Sequence, residues 1–316
     1  MALLALSKWR RHLTSLVVPG LIGLVLSGCS SPGTSPGPSA AKTTAPSTST
    51  TTPPTTTTTE QPGWTPVSSG TKGIAVDEMT VTAADGSHVT VARFRAGRTL
   101  FALHVGSQDP PTNGIALGPD AGPAVSSTQR PSLLAAFNGG FMISDKVGGF
   151  EIDGQILSPL VPGVASFVID ADGSGHIGVW GQQFPTPGEH VVDVRQNLAP
   201  LVSGAQLSPR ISDITAWGPP LGGGPMVARS ALGEDAQGDI LYAGSMSALP
   251  VDLGSALISA GASSAMELDI NPEWVQLALA ASPGANLSAG VPGQHRPADQ
   301  YLLGWTRDYF TVLASP

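Results

Sequence analysis

Short runs of alternating or continuous apolar residues, separated by Asp-Gly and other glycine turns, recur along the chain after residue 64. Paired runs of this kind around a tight turn are the strongest local indication of an antiparallel hairpin. Four hairpins are predicted, with turns at Asp85-Gly86, Asp153-Gly154, Asp172-Gly173 and near Gly238. The pattern therefore favours a strand-rich domain with short connections.

One amphipathic helix is predicted in PVDLGSALISAGA, residues 250 to 262. Apolar residues from Leu253 to Ala260 recur at helical spacing on one face. Pro250 and Asp252 suit the first turn, and Gly261 suits the C-terminal cap. A second short helix is expected near residues 120 to 129. The predicted fold class is α+β: one β-rich domain of mixed or antiparallel sheet with a few packed helices.

The N-terminal segment has the pattern of a bacterial lipoprotein signal. Lys8, Arg10 and Arg11 precede a mostly apolar stretch that is short for a membrane span, and LSGC follows at residues 26 to 29. Cys29 is the sole cysteine of the 316 residues and cannot form an internal disulfide. Residues 1–28 are predicted to be a signal peptide, with Cys29 lipidated. A plain signal peptide with an incidental cysteine is the alternative.

Residues 29–65 are predicted to be a disordered linker, because Ser, Thr, Pro, Ala and Gly cannot bury enough apolar surface to fold. The folded domain is then residues 66–316. Three of the fifteen basic groups lie in the first 28 residues and no acidic group does, so the rest carries 12 basic against 23 acidic groups. Without a basic stripe, nucleic acid is not an expected partner.

Several common catalytic motifs are missing from the sequence. It has no G-x-S-x-G nucleophile elbow, no P-loop and no dinucleotide-binding G-x-G-x-x-G. The histidines after the signal stand apart, without zinc-ligand spacing. The turn at residues 170 to 175 has the early part of a calcium loop but lacks its later ligands. The available chemistry is that of carboxylates, amides, arginine and glycine-rich turns.

The segment AMELDINP, residues 265 to 272, is the main candidate for chemistry. Residues 265 to 270 are predicted to be a strand, in which side chains alternate between the two faces. Glu267, Asp269 and Asn271 then share one face, and Met266, Leu268 and Ile270 share the other. Alternation alone does not distinguish a functional site from a solvent-facing side of the strand or from a structural ion pair with an arginine.

Two further segments contribute candidate binding residues. The apolar run from residue 133 to 137 ends at Asn138-Gly139-Gly140, where glycines suit a tight turn or the presentation of backbone amides to a ligand. In AWGPPLGGGPMVARSALG, Trp217 is a candidate sugar-stacking platform and Arg229 a candidate phosphate ligand. The alternative for Asn138-Gly139-Gly140 is a simple turn. For Trp217 it is a buried tryptophan, and for Arg229 it is a structural ion pair. The amides Gln196 and Asn197 are weaker candidates, since amides after a strand often cap a turn.

The order of these segments resembles the phosphodiester glycosidase family. FNGGFM matches the family's N-G-G-F-F-like strand end, and ARSALG matches its P-R-T-A-I-G-like motif, with Arg229 at the family arginine. LISAGASSAMELD matches a helix, glycine and strand that end in Leu-Asp, with Asp269 at the family aspartate. The likeness runs from about Leu133 to Val275. In this chain Ile270-Asn271-Pro272 replace the triple glycine that follows the family aspartate, so the substrate or the activity is expected to differ.

The resemblance implies a hydrolase that cleaves a sugar-1-phosphodiester, with Asp269 as base or nucleophile and Glu267 as its partner. Arg229 would hold the phosphate, and Asn138, Gly139 and Gly140 would orient the substrate. The expected partners are a carbohydrate or phosphoglycan substrate and, through Cys29, the bacterial cell membrane on its extracytoplasmic side. No cofactor is indicated, although the carboxylates leave a divalent cation open. A non-catalytic lipoprotein that binds glycans or phosphoglycolipids is the alternative, and a scaffold without a pocket is a third hypothesis.

Overall fold

The computed structural model describes residues 63–219, 224–304 and 306–316. The chain divides into two units, Met1–Thr57 and Thr58–Pro316, and every described residue lies in the second. The predicted signal peptide, Cys29 and the linker up to residue 62 lie outside the described residues. Within the described ranges, no helix is long and apolar enough to cross a membrane.

The described residues form 18 strands and two helices, and the strands pair antiparallel in three sheets. The largest sheet has eight strands in the order β1 (Thr65–Gly70), β2 (Gly73–Thr82), β3 (His88–Phe94), β14 (Ile240–Ala248), β13 (Val227–Asp235), β15 (Ala262–Glu267), β11 (Val202–Ser203) and β12 (Gln206–Leu207).

The two remaining sheets have five strands each. One has the order β7 (Gln155–Ser158), β6 (Phe150–Ile152), β10 (Val191–Gln196), β8 (Ala165–Asp170) and β9 (Gly175–Val179). The other has the order β17 (Leu287–Ala289), β16 (Leu277–Ala280), β5 (Leu133–Asn138), β18 (Tyr309–Ala314) and β4 (Thr99–His104). The helices are α1 (Pro250–Ser259) and α2 (Gln300–Leu303).

The four predicted hairpins are confirmed: β2 pairs with β3, β6 with β7, β8 with β9, and β13 with β14. Helix α1 is confirmed as well. The Asp252 carboxylate accepts a hydrogen bond of 2.8 Å from the Leu249 amide at its N-terminus, and Gly261 follows its last turn with φ +109°. The fold is thus strand-rich, as predicted, and its sheets are antiparallel.

The prediction of a short helix near residues 120 to 129 was wrong, because that segment forms turns and bends. The Asp120 carboxylate accepts hydrogen bonds from the hydroxyls of Ser126 and Thr128. Such bonds compete with helix formation, and the proline at position 123 disfavours a helix interior.

One hydrophobic core joins all three sheets. Phe137 of β5 contacts Phe94 of β3, Tyr242 of β14 and Phe310 of β18, with ring centroids 5.3 to 5.7 Å apart. Phe167 of β8 completes the link, 5.1 Å from Phe310. This core fixes the ends of β5, β15 and β18 relative to one another, and the candidate functional site lies where those strands end or begin.

A second core lies between the eight-stranded sheet and α1. Leu253 and Leu257 of the helix pack with Ala231, Leu241 and other residues of the sheet. The eight-stranded sheet is therefore covered on both faces, which explains why β13 is buried along almost its whole length although it contains charged and polar residues.

Candidate functional site

The predicted strand that carries the acidic residues ends earlier than expected. β15 runs from Ala262 to Glu267, and Asp269 lies beyond it. The Asp269 amide donates to the Gly139 carbonyl at 3.1 Å, and its carbonyl accepts bonds from the amide and the hydroxyl of Ser230 at 3.2 and 2.8 Å. Asp269 is thus fixed by its backbone between the end of β5 and strand β13.

Asn138 lies at the centre of this arrangement. Its side-chain amide donates to the Ser230 hydroxyl and to the Gly139 carbonyl, both at 2.9 Å. Its side-chain oxygen accepts bonds from the Tyr242 hydroxyl at 3.0 Å and the Gln276 amide at 3.1 Å. Through these four bonds Asn138 positions Ser230 and the turn that carries Gly139.

The two glycines after Asn138 lie against a buried ion pair. Asp308 accepts a bond of 2.7 Å from Arg195 Nε and another of 3.2 Å from the Gly140 amide. A Cβ atom on Gly139 would lie 1.9 Å from Asp308 Oδ2, and one on Gly140 would lie 3.0 Å from Arg195 Cζ. In this structure the glycines are required because the carboxylate and the guanidinium approach the backbone closely.

Asp269 and Arg307 meet at the floor of a cavity. Arg307 Nη1 lies 2.5 Å from Asp269 Oδ2, and the Asn271 amide donates to Asp269 Oδ1 at 2.9 Å. The cavity has a volume of about 450 Å³, within the range typical of small-molecule sites. The polar residues of its described lining are Asp145, Thr215, Asp269, Asn271 and Arg307.

The environment of Asp269 changes its acidity. Burial raises the pKa of Asp269 to about 6, and the positive charge of Arg307 acts in the opposite direction. A carboxyl group that titrates near neutral pH can accept and return a proton under ordinary conditions, as a general base or acid must.

Arg307 retains unused hydrogen-bonding capacity. Besides the bond from Nη1 to Asp269, Nη2 donates to the Gly140 carbonyl at 3.4 Å, and Nε has no hydrogen-bond partner among the described residues. A guanidinium has five N–H donors, so one N–H on each of Nη1 and Nη2 is left without a partner among the described residues, whereas Nε is buried. The ring of Trp274 lies next to the guanidinium, with the ring centroid 5.6 Å from Arg307 Cζ. Arg307 is 7% exposed, so the cation is largely shielded from water.

Glu267 and Arg229 form a separate pair away from this cavity. Arg229 Nη1 lies 2.6 Å from Glu267 Oε1, both side chains are fully buried, and neither lines the cavity. Arg229 also donates to the carbonyls of Trp217 and Ala248. Burial raises the pKa of Glu267, and the charge of Arg229 opposes that shift. Within the described part of the chain, the pair leaves Arg229 Nη2 and Glu267 Oε2 without hydrogen-bond partners.

The other predicted binding residues have structural contacts. Trp217 is 1% exposed, and its ring nitrogen donates to the Arg210 carbonyl at 3.1 Å. Gln196 binds the backbone of Gly149 and Val161. These two side chains do not line the cavity.

Asn197 links the two segments that approach the cavity. Its side-chain oxygen accepts a bond of 3.2 Å from the Phe141 amide, and its amide donates to the Glu267 carbonyl at 2.7 Å. Of the predicted residues, only Asp269 and Asn271 line the cavity directly, whereas Asn138, Gly139, Gly140 and Asn197 hold its supporting backbone.

Sequence reasoning missed Arg307, Asp308 and Arg195. Each is charged and almost fully buried in a chain with 12% charged residues. Arg307 and Asp308 stand directly before the apolar strand β18. Arg195 lies inside β10, next to the predicted candidates Gln196 and Asn197. A charged residue beside an apolar strand was the available indication, because buried charges are retained only where they are paired.

The described residues contain no group of three or more His, Cys, Asp or Glu side chains that could hold a metal ion. The cavity has two carboxylate side chains among its described lining residues, Asp145 and Asp269. Asp145 ends a short 3₁₀ turn, Ile143–Asp145, and is exposed.

Comparison with known proteins supports a distant structural relationship. No family model and no curated protein sequence matches the chain. Among solved structures, the chain is similar to the catalytic domain of zebrafish N-acetylglucosamine-1-phosphodiester alpha-N-acetylglucosaminidase, auto-inhibited by its pro-peptide. The identity is 14% and the TM-score 0.51, over 80% of this chain and 88% of that one.

A hypothetical protein from Synechocystis is also similar, with 12% identity and a TM-score of 0.46 over 76% of this chain and 62% of that one. At such identities the likeness concerns the fold alone. The likeness to the zebrafish catalytic domain supports a distant fold relationship with the domain expected from the sequence resemblance.

Proposed function

We propose that the domain is a hydrolase that cleaves a sugar-1-phosphodiester between the anomeric carbon and the phosphate oxygen. The observation that carries this proposal is the placement of Asp269, with its raised pKa, beside Arg307 in a cavity of small-molecule size. The distant likeness to a phosphodiester glycosidase domain supports the same reaction class.

In the proposed reaction, Asp269 acts as the base for a water molecule. The water oxygen forms a bond to the anomeric carbon, its proton passes to Asp269, and the bond from that carbon to the phosphate oxygen breaks. The electron pair leaves with the phosphate monoester, which is a good leaving group and needs little help from an acid. Attack by Asp269 itself, followed by hydrolysis of the glycosyl ester, uses the same residue.

Arg307 is the proposed phosphate ligand in place of Arg229. Arg307 lines the cavity and has donors to spare, whereas Arg229 is fully buried and paired with Glu267. A guanidinium binds two phosphate oxygens at once and remains charged at any working pH. The partner carboxylate is proposed to be Asp145 rather than Glu267, because Asp145 and Asp269 line the same cavity.

Anchoring to the extracytoplasmic face of the cell membrane through Cys29 is part of this proposal. It depends on the lipobox-like LSGC at residues 26 to 29, which lies outside the described residues. Radiolabelled fatty acid incorporated into wild-type protein but not into a Cys29→Ser variant is the expected result. Equal labelling of both proteins would contradict it.

The test of the activity is the release of free sugar from a panel of sugar-1-phosphodiesters by the purified protein. Asp269→Asn preserves the shape of the side chain and is expected to lower kcat/KM by about 10²- to 10⁴-fold. Asp193→Asn is the matched control, since Asp193 is also a buried aspartate but accepts bonds from the amides of Leu103 and Asp153, away from the cavity.

Full activity of Asp269→Asn would exclude Asp269 from the chemistry. A folded wild-type protein that binds members of the panel through Arg307 and turns none of them over would instead favour the non-catalytic glycan-binding alternative. That alternative draws on the finding that Glu267, one of the two predicted catalytic carboxylates, does not reach the cavity.

A further inference from the structure

The cavity beside Asp269 has a continuous apolar wall. Four of its residues belong to one cluster: Phe141 and Ile270 pack together, and Val147 and Leu198 pack against them. Met142 extends this wall and is 42% exposed. The apolar lining residues are Phe141, Met142, Val147, Leu198, Pro219 and Ile270.

The wall is preformed. A Cβ atom on Gly218 would lie 2.6 Å from Ile270 Cδ1 and 2.8 Å from Phe141 Cζ, so the two side chains occupy the space up to that backbone. Ile270 is the first of the three residues that stand where the resembling family has glycines. The replacement therefore supplies an apolar side chain to the cavity where the family pattern would leave bare backbone.

The wall is better suited to a hydrocarbon than to a sugar. Sugars stack on the exposed faces of aromatic rings, and Phe141 is the one aromatic residue among the described lining residues. Its ring has little free face, because it is 7% exposed. The other apolar residues of the described lining are Val, Leu, Ile, Met and Pro side chains. Aliphatic side chains favour apolar ligands without a preferred direction.

The charged and apolar parts of the cavity adjoin each other. Arg307 is the basic residue of the described lining, and it contacts Asp269, whose neighbour in sequence is Ile270. A ligand that satisfies both parts carries an anionic group next to an apolar one. In a sugar-1-phosphodiester the second ester of the phosphate lies next to the anion.

We propose that the substrate is a sugar-1-phosphodiester whose second ester is a hydrocarbon chain, with the phosphate at Arg307 and the chain on the Phe141, Met142, Leu198 and Ile270 wall. This substrate class rests on the proposed hydrolase activity. The apolar subsite itself does not, because binding to it is measurable without turnover. The products would be free sugar and an alkyl phosphate.

The experiment measures two series with the purified protein. Calorimetry gives the affinity for methyl, butyl and hexyl phosphate, which contain no sugar. Hydrolysis assays give kcat/KM for the corresponding sugar-1-phosphodiesters. The expected result is a gain of about fourfold in affinity and in kcat/KM for each methylene buried.

The double variant Met142→Gln, Leu198→Asn is expected to remove this gain while it retains binding of methyl phosphate. Leu198 has φ +56°, a conformation that asparagine adopts readily, so the substitution does not strain the backbone. The control is Ile156→Gln on β7, where an apolar side chain 57% exposed lies outside the cavity lining. It is expected to preserve the gain.

The outcomes separate the two proposals. Hydrolysis of the methyl diester with no dependence on chain length would overturn the hydrocarbon subsite and leave the proposed function standing. Binding that strengthens with chain length, without hydrolysis of any diester, would overturn the proposed function and leave the subsite. A gain that persists in the double variant would also overturn the subsite, because the chain would then bind elsewhere.

Discussion

Asp269 and Arg307 form an ion pair at the cavity, with Oδ2 and Nη1 2.5 Å apart. The next residue in the chain, Asp308, forms a second buried pair with Arg195. Two successive residues before β18 thus connect the strand to two different segments, the one that carries Asp269 and strand β10, which carries Arg195. The geometry of the candidate site therefore depends on a short charged segment that the packing of β18 holds in place.

The pH dependence of activity should follow the ionisation of the Asp269 carboxyl group. If Asp269 is the base, its carboxylate is the active form, so kcat/KM should fall tenfold per pH unit below about 6 and level off above. Arg307 lowers the pKa of Asp269 in opposition to burial. Arg307→Gln removes that charge, so the midpoint should move to higher pH. The measurement is kcat/KM from pH 4.5 to 8.5 in both proteins.

Arg307→Lys is the control for this shift, since it keeps the positive charge and loses the planar fork. Its midpoint should stay closer to that of wild type, while its KM rises because an ammonium does not bind phosphate in two places. An unchanged midpoint in Arg307→Gln would show that the titrating group is not Asp269.

The Arg229–Glu267 pair should matter for stability rather than for phosphate binding. Arg229→Met leaves Glu267 buried without its partner and should reduce the free energy of unfolding by about 3–5 kcal/mol. The same holds for Glu267→Leu. The double variant should lose clearly less than the sum of the two. Urea denaturation of the four proteins gives these values, and additive losses would contradict a coupled pair.

Short local sequence patterns predicted many of the elements of the fold. The Asp-Gly turns predicted four hairpins, because a turn and its flanking runs lie within about 20 residues of each other. Helix α1 was predicted from its first turn and its C-terminal glycine. By contrast, the sheet order β13-β15-β11 joins segments far apart in the chain, and no local pattern encodes it.

The candidate site was predicted only in part for the same reason. Asp269 and Asn271 follow from the pattern of one segment, and both line the cavity. The strand ends at Glu267, so the alternation that grouped Glu267 with Asp269 does not extend to Asp269. Arg307 reaches Asp269 from 38 residues along the chain. Such a contact depends on how β18 and β5 pair, which a single sequence does not show.

Gly139 should not tolerate a side chain. In Gly139→Ala the new Cβ would lie 1.9 Å from Asp308 Oδ2 and 2.9 Å from the Asp308 carbonyl oxygen, so the ion pair with Arg195 would have to move. A loss of about 3 kcal/mol in the free energy of unfolding is expected, at the upper end for overpacking.

Gly122→Ala is the matched control for this substitution, because no atom lies within 4 Å of the position that its Cβ would occupy. Its stability should change by less than about 0.5 kcal/mol. Equal stability of the two variants would show that Asp308 and Gly139 are not in contact.

Buried aspartates should also make stability depend on pH. Burial raises the pKa of Asp193 from 3.8 to about 6. Between about pH 4 and 6 the folded state therefore binds a proton that the unfolded chain has already lost. The free energy of unfolding should fall as the pH rises through this window, by about 2–3 kcal/mol for Asp193, and Asp269 adds a change of the same sign.

Asp193→Asn should flatten this dependence, because the amide does not titrate, while the part that belongs to Asp269 remains. The control is Asp213→Asn, where hydrogen bonds from Thr215 and Arg210 lower the pKa of the aspartate, so its titration lies below the window. Urea denaturation at pH 4.5, 5.5, 6.5 and 7.5 measures the slopes. Identical slopes in Asp193→Asn and wild type would mean that Asp193 is not the group whose proton is lost.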